Sequence, residues 1–188
     1  MLKDYNHFKG SGLSRAEKIQ RKIVDMIIES KLPDAKRESS KAWELKHSSS
    51  CCQIGRILAE KRNLDVELAE IICVMHDIYV IVEGTYKDHA RKGAVIARKI
   101  LEESGDFTEK EIKLITDAIA QHSDKDVYTK NPYVELVKDA DILDCSLYQG
   151  VEGYYKLHKP EPVLKEYLNR LVKTRKEMEM QTKRLFRD

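Results

Sequence analysis

The stretch IICVMHDIYVIV, residues 71–82, is strongly apolar, and only His76 and Asp77 interrupt it. Twelve residues with a charge inside are too few to cross a bilayer, which takes about 20 apolar residues in a helix. The run is therefore expected to lie in a packed core. Asp65 stands just ahead of Val66, Leu68, Ile71, Ile72 and Met75, so a capped core helix should run into the His-Asp pair. Burying an unpaired carboxylate costs several kcal/mol, so Asp77 calls for a basic partner or a cation.

Helical signals continue on both sides. Ser14 with Glu17 forms a capping box ahead of Ile19, Ile23, Met26 and Ile27, and Pro33 ends that helix. Residues 34–41 look loop-like, and a second helix is expected over 44–61, with His47, Cys51, Ile54 and Leu58 at helical spacing. A loop is expected around Gly84, after which Asp88 opens a helix over 89–103 that Gly105 closes. Thr108 and Glu111 repeat the capping-box pattern for a helix reaching about Gln121 or His122. Pro132 starts a helix through Asp144, a short one follows to His158, and a charged helix is expected over 163–186. The sum is an all-α, single-domain bundle of about eight helices. Residues 1–43 form an arm and a helix packed on a core of 44–160, and 161–188 form a C-terminal helix of the same domain.

Composition agrees. In 188 residues there are only 8 glycines and 4 prolines, too few for the turns of an all-β fold. A formal charge of +2 gives no concentrated basic face of the kind nucleic acid needs. Cys51, Cys52, Cys73 and Cys145 make no CxxC pair, which argues against a structural zinc site or disulfide scaffold and for a reduced, cytoplasmic setting. The N-terminal MLKDYNHFKG has no apolar signal core.

Six histidines occur, and four of them, His47, His76, His89 and His122, fall on helix bodies or ends. Joined with an acid they make the nitrogen–oxygen donor set that suits zinc, iron, manganese, cobalt or nickel. On the helix after Pro132, an advance of 100° per residue turns Asp139 away from the apolar face defined by Tyr133, Leu136, Val137 and Ala140, toward solvent. Asp144 falls inside that face and Asp141 at its edge, so periodicity leaves both open as the distant acid.

An early His, a His-Asp pair, a later His and a distant Asp resemble the HD superfamily of metal-dependent phosphohydrolases. The segments that carry the resemblance are KHSSSCCQIGRILAE (46–60), AEIICVMHDI (69–78), DHARKGAVIARKIL (88–101), IAQHSDK (119–125) and ELVKDADILD (135–144). The resemblance implies that His47, His76, Asp77 and Asp141 hold a divalent metal: zinc, iron, manganese, cobalt, nickel or magnesium. It selects Asp141 as the second Asp of the D-A-D run. His89 and His122 match histidines that in some members hold a second metal and in others face the substrate phosphate, so one ion or two per chain are implied. Asp77, His89 and His122 would be catalytic. The candidate cations for the substrate phosphate are Arg56, Lys87, Arg91, Lys125 and Lys138, and of these Arg91 and Lys125 lie close in sequence to His89 and His122 and are expected to bind it.

Two departures stand out. Many members follow the His-Asp pair with a glycine or alanine and then a lysine, where this chain reads Ile78-Tyr79. After Asp144 it reads CSLYQG in place of a Gly-rich stretch. The expected activity is hydrolysis of a phosphate ester of a nucleotide or related small metabolite by metal-activated water. The expected partner is a small phosphorylated substrate, a nucleotide by preference, with a homodimer as one option and without membrane or nucleic acid. Alternatives are a dinuclear phosphodiesterase or diadenosine polyphosphate hydrolase, and a catalytically silent, nucleotide-binding regulatory module.

Overall fold

The computed structural model describes residues 7–187, so residues 1–6 of the expected arm lie outside the described residues. The described chain is all-α. Helix α1 (Arg15–Glu29) is followed by a short 3-10 turn, α2 (Lys41–Lys61), α3 (Val66–Met75) and α4 (Ile78–Glu83). Then come α5 (His89–Ser104), α6 (Glu109–Gln121), α7 (Pro132–Ser146), α8 (Val151–His158) and α9 (Glu161–Glu177).

Local chemistry sets most of the boundaries. Both capping boxes form: Ser14 and Glu17 exchange bonds at the start of α1, and Thr108 and Glu111 do so at the start of α6. Asp65 caps α3 by accepting from the Leu68 N–H. Helix α3 lies at the centre, packed by α1, α2, α6 and α7, so Ile71, Ile72 and Met75 are fully buried. This burial explains why the run has no polar face over 71–75. Helices α5 and α6 pair as a hairpin, and α9 lies on α7. A second apolar cluster, including Leu143, Tyr155, Tyr167, Leu171 and Phe186, joins α7, α8, α9 and the C-terminal tail.

Four expectations are corrected. Helix α2 begins at Lys41 because Ser40 accepts from the Trp43 N–H and caps it there. The segment expected as loop before Gly84 contains α4, which makes nine α-helices among the described residues. Asp88 precedes α5 in a left-handed conformation and makes no side-chain capping bond. Helix α9 stops at Glu177. Met178 caps it, Glu179 takes a positive φ of 58°, and the tail folds back so that the Arg187 N–H donates to the Ser146 carbonyl.

Asp139 is also corrected. It is 2% exposed, not solvated, and lies between Arg62 at 2.6 Å and Arg170 at 2.7 Å. The cause is that α7 is packed by α2, α3, α6 and α9, so its polar face is covered too. No helix among the described residues is long and apolar enough to cross a membrane.

Candidate metal centre

Six chain segments meet in one buried cluster: the body of α2, the junction of α3 with α4, the first residue of α5, the end of α6, the loop after it, and α7. His47 comes from α2. His76 and Asp77 occupy the two positions between α3 and α4. His89 opens α5, His122 follows α6, and Asp141 and Asp144 lie on α7. All except His89 are fully or almost fully buried, and His89 is 16% exposed at its side chain.

Each of the four imidazoles is fixed through its Nδ1, three of them by the same device. Nδ1 of His76 donates to the Cys73 carbonyl at 2.7 Å, Nδ1 of His89 to Tyr86 at 2.8 Å, and Nδ1 of His122 to Ile119 at 2.7 Å. Each of these carbonyls lies three residues back, at the last turn before the histidine. His47 sits inside a helix whose carbonyls are already engaged, and its Nδ1 bonds Asp144 Oδ2 at 2.6 Å instead. With Nδ1 protonated, Nε2 of a neutral ring presents a lone pair.

Those Nε2 atoms converge on Asp77 in two pairs. His47 Nε2 and His76 Nε2 stand 3.1 Å apart, and both flank Asp77 Oδ2, at 3.6 and 3.4 Å. His89 Nε2 and His122 Nε2 also stand 3.1 Å apart, and both lie 3.3 Å from Asp77 Oδ1. Asp141 reaches the first pair, with Oδ1 3.6 Å from His47 Nε2. Two lone pairs at that separation need a proton or a metal cation between them.

The electrostatics point the same way. Burial alone would disfavour protonation of His76, yet Asp77 and Asp141 outweigh it and raise its pKa to about 9. Burial together with its cationic neighbour His76 pushes His122 down to about 4, despite a bond to Asp77. Asp141 is held well below the usual carboxylate range: Lys125 and the histidines overcome the effect of burial. Four buried carboxyl groups, Glu44, Asp77, Asp141 and Asp144, share this space with one ammonium, Lys125. The donor set thus fits a divalent cation. His47, Cys51, His76 and Asp141 form one group of possible ligands within 4.8 Å of one another, and His76, Asp77 and His122 form another.

Of the two basic residues expected at the phosphate, Lys125 lies in the cluster, with Nζ 2.5 Å from Asp141 Oδ2. Arg91 does not touch the histidines. Its side chain is 77% exposed, 3.9 Å from Asp88, on the wall of a cavity of about 210 Å³ that also includes His89, Tyr86 and Ser123.

Sequence reasoning missed Glu44, which is fully buried in the first turn of α2, and Cys51, one turn after His47 on the same face. The signal for both was their spacing of three and four residues from His47. It also set Asp141 and Asp144 as alternatives, and the structure brings in both.

A family model described as the HD domain matches residues 45–145. No curated protein matches the chain. Among solved structures, a predicted HD superfamily hydrolase from an uncultured Thermotogales bacterium is similar at a TM-score of 0.55 and 21% identity. The likeness covers 85% of this chain and 88% of that one. At that identity it is a likeness of fold.

Proposed function

Because this chain belongs to the HD-domain family of metal-dependent hydrolases, we propose that it hydrolyses a phosphate ester of a nucleotide or related small metabolite. The observation that carries the proposal is the pairing of four imidazole Nε2 atoms about the two oxygens of Asp77. His47, His76, Asp77 and Asp141 would hold a divalent cation. Nitrogen and carboxylate donors suit zinc, iron, manganese, cobalt or nickel better than magnesium. A cation bound there supplies a Lewis acid that lowers the pKa of water and offsets charge on phosphoryl oxygens.

The chain's own groups divide the remaining work. Asp77 orients the histidines and the attacking water. Lys125, already within reach of Asp141, offers its ammonium to a phosphoryl oxygen and takes the part of the lysine that many relatives carry after the His-Asp pair. Arg91 stands at the cavity wall as a charge that an arriving phosphate meets. The 1–43 and 161–188 segments are proposed to complete the same unit: α1 packs on α3 and α9 on α7, whose residues frame the cluster.

One observation favours the dinuclear version. The His89–His122 pair repeats the 3.1 Å spacing and faces the other oxygen of Asp77, so a second cation has an equivalent place. A two-metal site stabilises both the attacking and leaving oxygens, which suits a phosphodiester or a diadenosine polyphosphate. The test is elemental analysis of the purified chain, then turnover with that metal on a panel of nucleotides and phosphodiesters. About one metal per chain supports the mononuclear form and about two the dinuclear form. Nucleotide binding without turnover under any divalent metal overturns the hydrolase in favour of a silent module.

A further inference from the structure

Among the described residues, two buried side-chain oxygens lack a hydrogen-bond partner: Asp77 Oδ1 and Glu44 Oε2. The first faces the His89 and His122 nitrogens. The second has no such explanation. Glu44 is fully buried in α2, three residues before His47 and so on the same helix face. Its Oε1 is tethered, accepting from Ser39 Oγ and from Tyr86 Oη at 3.2 Å. Oε2 is left open, in the field of Asp77, His47 and His76. A buried oxygen without a donor costs about as much as a lost hydrogen bond, roughly 1–3 kcal/mol, unless a water or ligand fills the place.

The other carboxylates of the cluster are committed. Asp77 lies between the two histidine pairs, Asp141 faces Lys125 and accepts from Cys145 Sγ at 3.4 Å, and Asp144 holds His47. Tyr86 ties Glu44 to the second half of the site, since its carbonyl also accepts from His89 Nδ1 and its ring lies edge-on to that imidazole.

Resting on the phosphohydrolase reading of this site, we propose that Glu44 is the general base of the hydrolysis. Its Oε2 accepts a proton from water as the water oxygen bonds to phosphorus. The bond from phosphorus to the leaving oxygen breaks, that oxygen departs with the electron pair, and the proton held on Glu44 passes to it. The net change is ester plus water to phosphate plus alcohol. Burial, reinforced by Asp77, raises the Glu44 carboxyl above its ordinary value, which makes it a stronger proton acceptor.

The test uses the purified protein with its own metal and the ester it hydrolyses best. Glu44→Gln should lower kcat about 100-fold or more while KM stays within about threefold. Metal per chain and helical circular dichroism should match the parent. Added formate should restore part of the activity of Glu44→Ala and none of that of Asp77→Ala. If Glu44→Gln fails to fold, the formate response of Glu44→Ala decides alone, and its absence overturns the proposal. A Glu44→Gln variant with kcat within about threefold of the parent overturns it as well. So does loss of metal in step with activity, which would make the carboxylate a holder of the cation. A parent protein with no turnover on any ester removes the hydrolase reading and this proposal with it, and that result appears before any Glu44 variant is measured.

Discussion

Replacing Arg170 by Met tests how the loop bearing Lys125 is held. The Arg170 side chain is 1% exposed. Its Nε donates to the Lys125 carbonyl at 2.8 Å, its Nη2 to the Val127 carbonyl at 3.4 Å, and its Nη1 meets Asp139 at 2.7 Å and Glu135 at 2.9 Å. Removing it does not strand every partner. Asp139 keeps Arg62, Glu135 keeps the Thr129 N–H, and the Val127 carbonyl keeps Lys138. The Lys125 carbonyl and one oxygen each of Asp139 and Glu135 are left without their donor. Breaking a buried ion pair from one side costs about 3–5 kcal/mol. The surviving Arg62 contact and the apolar packing of Met place the expected loss at the low end, about 3 kcal/mol. Urea unfolding followed by circular dichroism reads this directly, and the melting temperature should fall by about 6–12 °C. Because the loop carries Lys125, metal-free Asp141 should also become more accessible to added cation. A stability loss below about 1 kcal/mol would refute the view that this guanidinium anchors the loop.

Asp77→Ala should abolish bound metal and reduce hydrolysis to background while the helical circular dichroism survives, and full metal content in that variant would overturn the ligand assignment. Glu111 is held at about 2 by its bonds to the Thr108 N–H and hydroxyl and then by Arg15. Its folded pKa lies below the unfolded one, so its stabilisation is present above roughly pH 5 and is lost as pH falls toward about 2. Glu111→Gln should therefore cost about 1 kcal/mol near neutrality, and its difference from the parent in melting temperature should shrink on acidification. A difference that stays constant with pH would refute this. At Gly55, where α2 crosses α3, an added methyl would overlap Cys73 Sγ and lie 3.1 Å from Cys73 Cβ. Gly55→Ala should cost about 1–3 kcal/mol, and the cost should be smaller in a Cys73→Ala background, as a double-mutant cycle by denaturant unfolding would show.

Which features the sequence revealed follows from how many faces each element hides. Helices α1 and α6 were legible because each buries one stripe and starts with a reciprocal cap. Helix α4 was not, because Ile78, Val80 and Ile81 are all buried and leave no helical period to detect. The same cause misplaced Asp139: a helix wheel assumes a solvent side, and α7 has neighbours around it. The end of α9 escaped because the residues beyond Glu177 remain helix-forming in composition, while Arg175 binds the Gln181 and Leu185 carbonyls and draws the tail back. Glu44 was hidden by an ordinary explanation, since an acid in a first helical turn normally answers the helix dipole.

The two acids of α7 show why spacing alone could not choose between them. Three of the four histidines stand at or next to a helix end, where a carbonyl three residues back accepts Nδ1 and turns Nε2 inward. His47 is in the middle of α2 and has no such carbonyl. An outside acceptor must set its tautomer, and Asp144 does so at 2.6 Å. Asp141, one turn earlier on the same face, is then free to turn its oxygens toward Nε2 of His47 and toward Lys125. The helix periodicity that left both residues open is thus the reason both are needed: one orients the imidazole, and the other faces the place where its lone pair points.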